Sequence, residues 1–156
     1  MNVAYVNPFV QGAQSVLSTL CGETPALGQV HVKNPPYTTE AIAISVAIFG
    51  HFSGEAVFSM EGTAARFIAS KMMMGMPVPE LDAMAQSALS ELGNMISGNV
   101  ATLFAGKGII VDIKPPNFRQ NPSPADFPLA AQTPKIVCVP LKFAEGHVFS
   151  VDVMIP

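Results

Sequence analysis

The chain has 156 residues, of which 49% are hydrophobic and 12% are charged, against about 25% charged in an average soluble protein. Its net charge is −3, and its eight Lys and Arg residues are scattered singly, which excludes the clustered basic surface of a nucleic-acid-binding protein. We expect the missing surface charge to reflect self-association or a partner that covers part of the surface.

Membrane and export signals are not expected in this sequence. No uninterrupted apolar run reaches the roughly 18 residues that a membrane span requires, and the N-terminal MNVAYVNPF lacks the basic start and apolar stretch of a secretory signal. Cys21 and Cys138 are far apart and follow no metal or redox spacing. We therefore predict a cytoplasmic protein with free thiols, no metal site and no membrane contact.

The first predicted element is a helix that begins at Asn7-Pro8, because asparagine is a good capping residue and proline suits the first turn. Gly22 is expected to end this helix. Between these points apolar residues recur at helical spacing, namely Phe9, Val10, Ala13, Val16, Leu17 and Leu20.

Predicted strands follow: a short one at Val30–Lys33, then Ile42–Gly50 and Gly54–Met60. In Ile42–Gly50 branched side chains alternate with Ala and Ser, which is typical of a strand that is buried on one face. Gly50 and Gly54 predict a hairpin turn between the two longer strands.

Two helices are predicted in the middle of the chain. The first covers Thr63–Met74 and is ended by Gly75. After a stiff proline link, the second covers Glu80–Ala105 and would be about 39 Å long, at about 1.5 Å per residue.

The last third of the chain is predicted to be extended. Ile109–Ile113 leads into a proline-rich loop, Pro115–Pro134, and alternation predicts strands over Lys135–Phe143 and His147–Ile155. Because Pro140 has no N–H for a ladder hydrogen bond, we expect its strand to lie at an edge or to carry a bulge.

An internal repeat is indicated by the order of these elements, since helix and three strands occur twice. AQSVLSTLCG at 13–22 aligns with AQSALSELGN at 85–94, and VHVKNPP at 30–36 resembles VDIKPP at 111–116. These two matches occur in the same order, which favours duplication over chance.

One domain over residues 1–156 is therefore predicted, with related halves at approximately 7–75 and 80–156. Composition and pattern by themselves predict an α+β globular domain.

The long helix carries one charged side chain, Glu91, between Ala83 and Gly106. On a wheel at 100° per residue, the apolar stripe faces away from a small polar face. That polar face is made by four residues, Ser87, Glu91, Asn94 and Gly98. Met84 and Met95 border it, and such adaptable apolar side chains suit a contact surface.

Glu91 and Asn94 are neighbours on this face because they are three residues apart. A carboxamide does not titrate usefully, but its donor and acceptor can hold a water molecule in one orientation. A carboxylate can pair with a Lys or Arg of a partner. Positioning of water together with an anchoring charge is one way to hydrolyse a phosphoryl group. The competing interpretation is that both residues only solvate a helix face.

The pattern Ser87-x-x-x-Glu91-x-x-Asn94, with Pro116 downstream, resembles the signature of the CheC/CheX/FliY chemotaxis phosphatases, and CheX most closely. The resemblance covers nearly the whole chain. It includes the VNPF start of the first helix, the FSGEAVFSM strand, KMMMGMPVPELDAMAQSALSELGNMISGN and the VDIKPP strand end.

This resemblance implies a phosphatase that hydrolyses the aspartyl phosphate of a phosphorylated CheY-like response regulator. Asn94 would orient the attacking water, and Glu91 would pair with a lysine of the regulator. Ser87 and Pro116 of the motif would contact the partner, and from the helix wheel we expect the same of Gly98, Met84 and Met95. CheC-like members carry two motifs, whereas this chain has Thr19 and Gly22 where the other would lie, as in CheX.

The resemblance also implies an α/β (α+β) fold: a mostly antiparallel sheet of about six strands flanked by three helices, built from two related halves. It implies a homodimer with no cofactor of its own, and Mg²⁺ would belong to the partner regulator.

Two alternatives stay open. The chain could be a non-catalytic relative that acts as a binding or scaffold protein in chemotaxis or another two-component pathway; intact Glu91 and Asn94 favour the enzyme. Lys71–Met76, with its four methionines, could form a thioether metal site, but consecutive helical methionines point in different directions and no Cys or His is near in sequence.

Overall fold

The computed structural model describes residues 3–155 of the chain. Within these residues the chain forms three helices and eight strands, with two short 3-10 helices at Pro124–Asp126 and Pro128–Gln132. The helices are α1 Val3–Cys21, α2 Gly62–Met72 and α3 Ala83–Ala105. The strands are β1 Ala26–Leu27, β2 His31–Lys33, β3 Ile42–Gly50, β4 Gly54–Met60, β5 Val111–Ile113, β6 Asn117–Gln120, β7 Ile136–Lys142 and β8 Val148–Met154.

All strands belong to one sheet in which every described pairing is antiparallel. Its order is β1-β7-β8-β4-β3-β5, with β2 also on β7 and β6 also on β3. The predicted α+β fold with three helices and an antiparallel sheet is thereby confirmed. The two unexpected strands, β1 and β6, are short edge strands without an alternating pattern, and β6 lies inside the segment that was expected to be a loop.

The main core lies between the three helices and one face of the sheet. It takes Ile44, Phe58 and Phe149 from the strands and Leu89 and Phe104 from α3, all fully buried. These side chains alternate along their strands, as expected for the face that the helices cover.

The opposite face of the sheet is also covered, contrary to the prediction that β3 is buried on one face only. Phe127, between the two 3-10 helices, packs with Ala43 and Val57 in a second, smaller core. Asp152 is fully buried on this side, where its carboxylate accepts hydrogen bonds from Lys33 Nζ at 2.8 Å and from Tyr37 Oη at 2.6 Å. This network ties the segment after β2 to the sheet.

The start of α1 differs from the prediction, because Pro8 lies inside the helix and the helix already includes Val3. The first turns are held by packing that local propensity does not report. Tyr5 stacks on Phe52 with ring centroids 4.6 Å apart, and Val6 is buried. Pro8 is the sixth residue of the helix, where a proline removes one backbone hydrogen bond and its ring crowds the preceding turn. Here the packing of Tyr5 and Val6 offsets that cost.

The boundaries of α2 and α3 also shift from their predicted positions. α2 ends at Met72 because Met74 and Gly75 adopt positive φ angles of 61° and 82°, which a right-handed helix cannot accommodate. α3 begins at Ala83, because Asp82 is extended and its carboxylate accepts the N–H of Ala85 at 2.9 Å.

Pro140 lies in β7, which has neighbours on both sides rather than an edge position. The Pro140 carbonyl accepts the Gly28 N–H at 2.7 Å, so its nitrogen faces β1 and β2. Leu27 pairs with Leu141 and His31 with Cys138. Residues 28–30 therefore bulge opposite the proline. β7 itself pairs with β8 without interruption, so the prediction of an edge position or a bulge in the Pro140 strand is wrong.

The proposed duplication stays a prediction, and one of its two sequence matches loses support. β5, from the VDIKPP segment, pairs with the last residues of β3, whereas β2, from VHVKNPP, pairs with the first residues of β7. The two segments therefore do not occupy equivalent positions.

In the part of the chain that the structure describes, no helix is long and apolar enough to cross a membrane.

Candidate functional site

Helix α3 is the element that carries the predicted site, and it packs against α1, α2, β3, β5 and β6. Its 23 residues give a length of about 35 Å. Gly93 permits its close approach to the sheet, because a Cβ there would lie 2.8 Å from Ile44 Cγ2 and 3.0 Å from Pro116 Cβ. The helix is thus a rigid support that cannot move without disturbing the core.

The face of α3 that points to solvent contains the predicted polar residues. All four are exposed: Ser87, Glu91, Asn94 and Gly98. Within residues 3–155 the side chains of Glu91 and Asn94 make no hydrogen bond or ion pair. The helix therefore presents a carboxylate and a carboxamide whose bonding capacity is open to another molecule.

Lys114 and Arg119, which lie beside and within the short strands after α3, do not pair with Glu91. Lys114 lies over the ring of Phe49, with Nζ 6.0 Å from the ring centroid, and Arg119 approaches Asp126 at 3.5 Å. Both face the other side of the sheet, because they alternate with residues that face α3. The negative charge of Glu91 is thus left without a counter-charge from this segment.

A shallow, open depression lies between α3 and β6. Seven residues line it: Ala83, Gln86, Ser87, Ser90, Glu91, Asn94 and Phe118. The sequence pattern predicted Ser87, Glu91 and Asn94 but not Phe118, because β6 was not recognised as a strand. Gln86 is partly fixed, since its Nε2 donates to the Leu81 carbonyl at 2.9 Å.

The other predicted partner-contacting residues lie beside this depression rather than in it. Met84 is 64% exposed, whereas Met95 is half-buried and packs against the main core. Pro116 is half-buried against Gly93. No atom lies within 4 Å of a Cβ placed on Gly98, so packing within the described residues does not require a glycine there.

Other clusters offer less chemistry. In the described range 3–155, no group of three or more His, Cys, Asp or Glu side chains could hold a metal ion. Met72 packs against the main core while Met74 is 96% exposed, so the methionines of the α2–α3 connection point in different directions.

Burial raises the pKa of the Cys21 thiol to about 11 and that of Cys138 to about 12. Both thiols are therefore protonated at neutral pH and weakly nucleophilic.

The family described as chemotaxis phosphatase CheX matches residues 42–139, which is more than half of the chain. The CheY-P phosphatase CheX of Thermotoga maritima is 29% identical over 116 residues, which cover 74% of this chain and 75% of that protein.

Solved structures with the same fold cover almost the whole chain. A CheX–CheY–BeF3–Mg²⁺ complex from Borrelia burgdorferi matches with a TM-score of 0.79 and 26% identity, covering 97% of both chains. A CheC-like superfamily protein from Shewanella sp. PV-4 matches with a TM-score of 0.82 and 20% identity, covering 100% of this chain and 99% of the other.

Proposed function

This chain belongs to the chemotaxis phosphatase CheX family, and on that premise we propose that it hydrolyses the aspartyl phosphate of a CheY-type response regulator. The Thermotoga relative is a CheY-P phosphatase, and the Borrelia relative forms a complex with CheY. In the reaction water attacks phosphorus and the bond to the aspartate oxygen breaks. The products are a free carboxylate and inorganic phosphate.

Asn94 is the residue that we assign to the attacking water. Its carboxamide is exposed, unbonded and held in the middle of a packed helix. The amide oxygen can accept one hydrogen of the water, which directs a lone pair of the water oxygen at phosphorus. Orientation of this kind contributes mainly by positioning, because phosphoryl transfer needs little covalent help from the protein.

Glu91 is the residue that we assign to docking. It is the one charged side chain of α3 and it lies one turn from Asn94 on the same exposed face. An ion pair with a lysine of the regulator would fix the register of the two proteins and bring Asn94 to the phosphoryl group. We assign Mg²⁺ to the regulator, because the depression contains a single carboxylate and Mg²⁺ sites use the phosphate and other oxygen ligands.

The proposal includes a homodimer in the cytoplasm. Three apolar side chains at the β1–β2 edge support self-association, since Leu27 is 60% exposed, Val30 57% and Val32 46%. Leu27 and Val30 line an apolar groove together with Val6 and Val10 of α1, of the kind that a second molecule covers.

The observation that carries the proposal is the unpaired Glu91–Asn94 couple on a rigid exposed face. Its test is release of phosphate from a phosphorylated CheY-type receiver. We expect Asn94→Ala to lower kcat by at least about 100-fold while the affinity for the receiver changes little. Asn99→Ala is the matched control, because Asn99 is half-buried at the edge of the apolar stripe.

Wild-type protein that leaves the intrinsic dephosphorylation rate of every cognate receiver unchanged would contradict the proposed phosphatase. If such protein still binds the receivers, the alternative of a non-catalytic binding protein in a two-component pathway would replace it. Equal loss of activity in Asn94→Ala and Asn99→Ala would contradict the specific role of Asn94.

A further inference from the structure

The register of β6 places one aromatic ring at the site. Phe118 pairs with Ile44 of β3, and Ile44 is fully buried beneath α3. Residues opposite each other in an antiparallel pair point to the same face of the sheet. The Phe118 side chain therefore faces α3, while its neighbour Arg119 turns to the other face and approaches Asp126.

Phe118 is held in place although it reaches the surface. Its side chain is half-buried and packs against the main core, and it also lines the depression that contains Glu91 and Asn94. A ring anchored in this way offers a fixed apolar wall, since little conformational freedom is left for a partner to restrict.

The groups that line the depression specify the kind of side chain that fits there. It contains one carboxylate, two serine hydroxyls, two carboxamides and one phenyl ring, and none of the described Lys or Arg residues lines it. A basic side chain can interact with both the carboxylate and the phenyl ring. Its charged group pairs with the carboxylate, while its methylene stem packs on apolar surface or its cation lies over the ring.

We propose that Phe118 and Glu91 together form the subsite for one basic side chain of the response regulator, with Glu91 receiving its charge and the face of the Phe118 ring lying against its cationic end. This subsite rests on the proposed function. Phe118 is a specificity-determining residue and not a catalytic one. The ring would favour regulators whose docking lysine or arginine can reach both Glu91 and Phe118.

The test measures binding of a CheY receiver loaded with beryllofluoride and Mg²⁺, which mimics the phosphorylated form without being turned over. Phe118→Leu keeps the apolar volume but removes the ring, and we expect it to raise Kd about tenfold. Phe118→Tyr keeps the ring and is expected to bind like the wild type. Phe49→Leu is the matched control, because Phe49 is also a half-exposed strand phenylalanine, 42% exposed, on the opposite face of the sheet.

A double-mutant cycle distinguishes a shared subsite from two independent contacts. If both residues hold the same basic side chain, Glu91→Gln combined with Phe118→Leu weakens binding less than the product of the two single effects. Steady-state turnover adds a second readout, since Phe118→Leu is expected to raise KM with kcat unchanged.

Unchanged affinity of Phe118→Leu would overturn the subsite, as would independent, multiplicative effects of Phe118 and Glu91. Thermal melts verify that each variant is folded, and Phe118→Tyr keeps the test valid if Phe118→Leu is unstable: loss of binding in that folded, ring-bearing variant would overturn it too. The binding assay needs no turnover. Failure of the phosphatase proposal therefore shows as wild-type binding without phosphate release, and failure of the subsite shows as release that is insensitive to Phe118.

Discussion

Helices α1 and α3 lie against each other and share the AQSxLSxL stretch, yet only α3 carries a candidate site. In α1 the residue that corresponds to Glu91 is Thr19, whose hydroxyl donates to the Ser15 carbonyl at 3.1 Å. The residue that corresponds to Asn94 is Gly22, which lies beyond the helix end with φ 74°. The polar group in α1 is thus satisfied inside its own helix.

In α3 the helix continues for about three turns after Asn94, and neither Glu91 nor Asn94 has a partner within the described residues. Exposure alone therefore does not leave a polar side chain available to another molecule. The bonding capacity must also be left open, and the helix on both sides must be packed firmly enough to hold the group still.

The largest expected effect is on docking. Glu91→Lys should weaken binding of the beryllofluoride-loaded receiver by about 100-fold, because like charges at an interface cost several kcal/mol. Thr19→Lys is the matched change on α1 and should leave binding unaltered. Isothermal titration calorimetry of both variants measures the contrast, and similar losses in the two would show that the effect is general electrostatics rather than a site on α3.

The second prediction concerns the two glycines of α3. Gly93→Ala should destabilise the protein by about 1–3 kcal/mol, because the new methyl group would meet Ile44 and Pro116 at 2.8–3.0 Å. Gly98→Ala should stabilise it by about 0.5–1 kcal/mol, since its Cβ would meet nothing within 4 Å. Urea unfolding reports both, and a stabilising Gly93→Ala would contradict the close packing of α3 on the sheet.

The smallest effect is expected for a transfer of the motif to α1, which should not change phosphate release at all. Moving the motif to α1, with Thr19→Glu and Gly22→Asn in a chain that carries Glu91→Thr and Asn94→Ala, should restore no phosphate release. Asparagine tolerates the positive φ at position 22, so folding is not the obstacle. The two side chains would no longer lie one helical turn apart. Recovery of turnover would mean that the end of α1 is an equivalent platform.

Much of the candidate site could be predicted because it lies on one helix. The angle between Ser87, Glu91 and Asn94 follows from 3.6 residues per turn, whatever the helix packs against. The longest strands were predictable for the same reason, since the alternation in Ile42–Gly50 and Gly54–Met60 is local, and the turn glycines 50 and 54 lie between them. The family resemblance added the roles that we propose for Glu91 and Asn94, which the spacing itself does not state.

Local patterns in the sequence thus specify the helical face, the single charge on it and the hairpin of the two long strands β3 and β4. The tertiary structure sets the side-chain positions and the helix boundary that those patterns do not specify. It places Phe118 at the site through a four-residue edge strand. It turns Lys114 and Arg119 to the other face of the sheet. It also extends α1 on the N-terminal side of Pro8, through the packing of Tyr5 on Phe52. Each of these depends on contacts between residues distant in the chain, and such contacts leave no periodic signal in a short window of sequence.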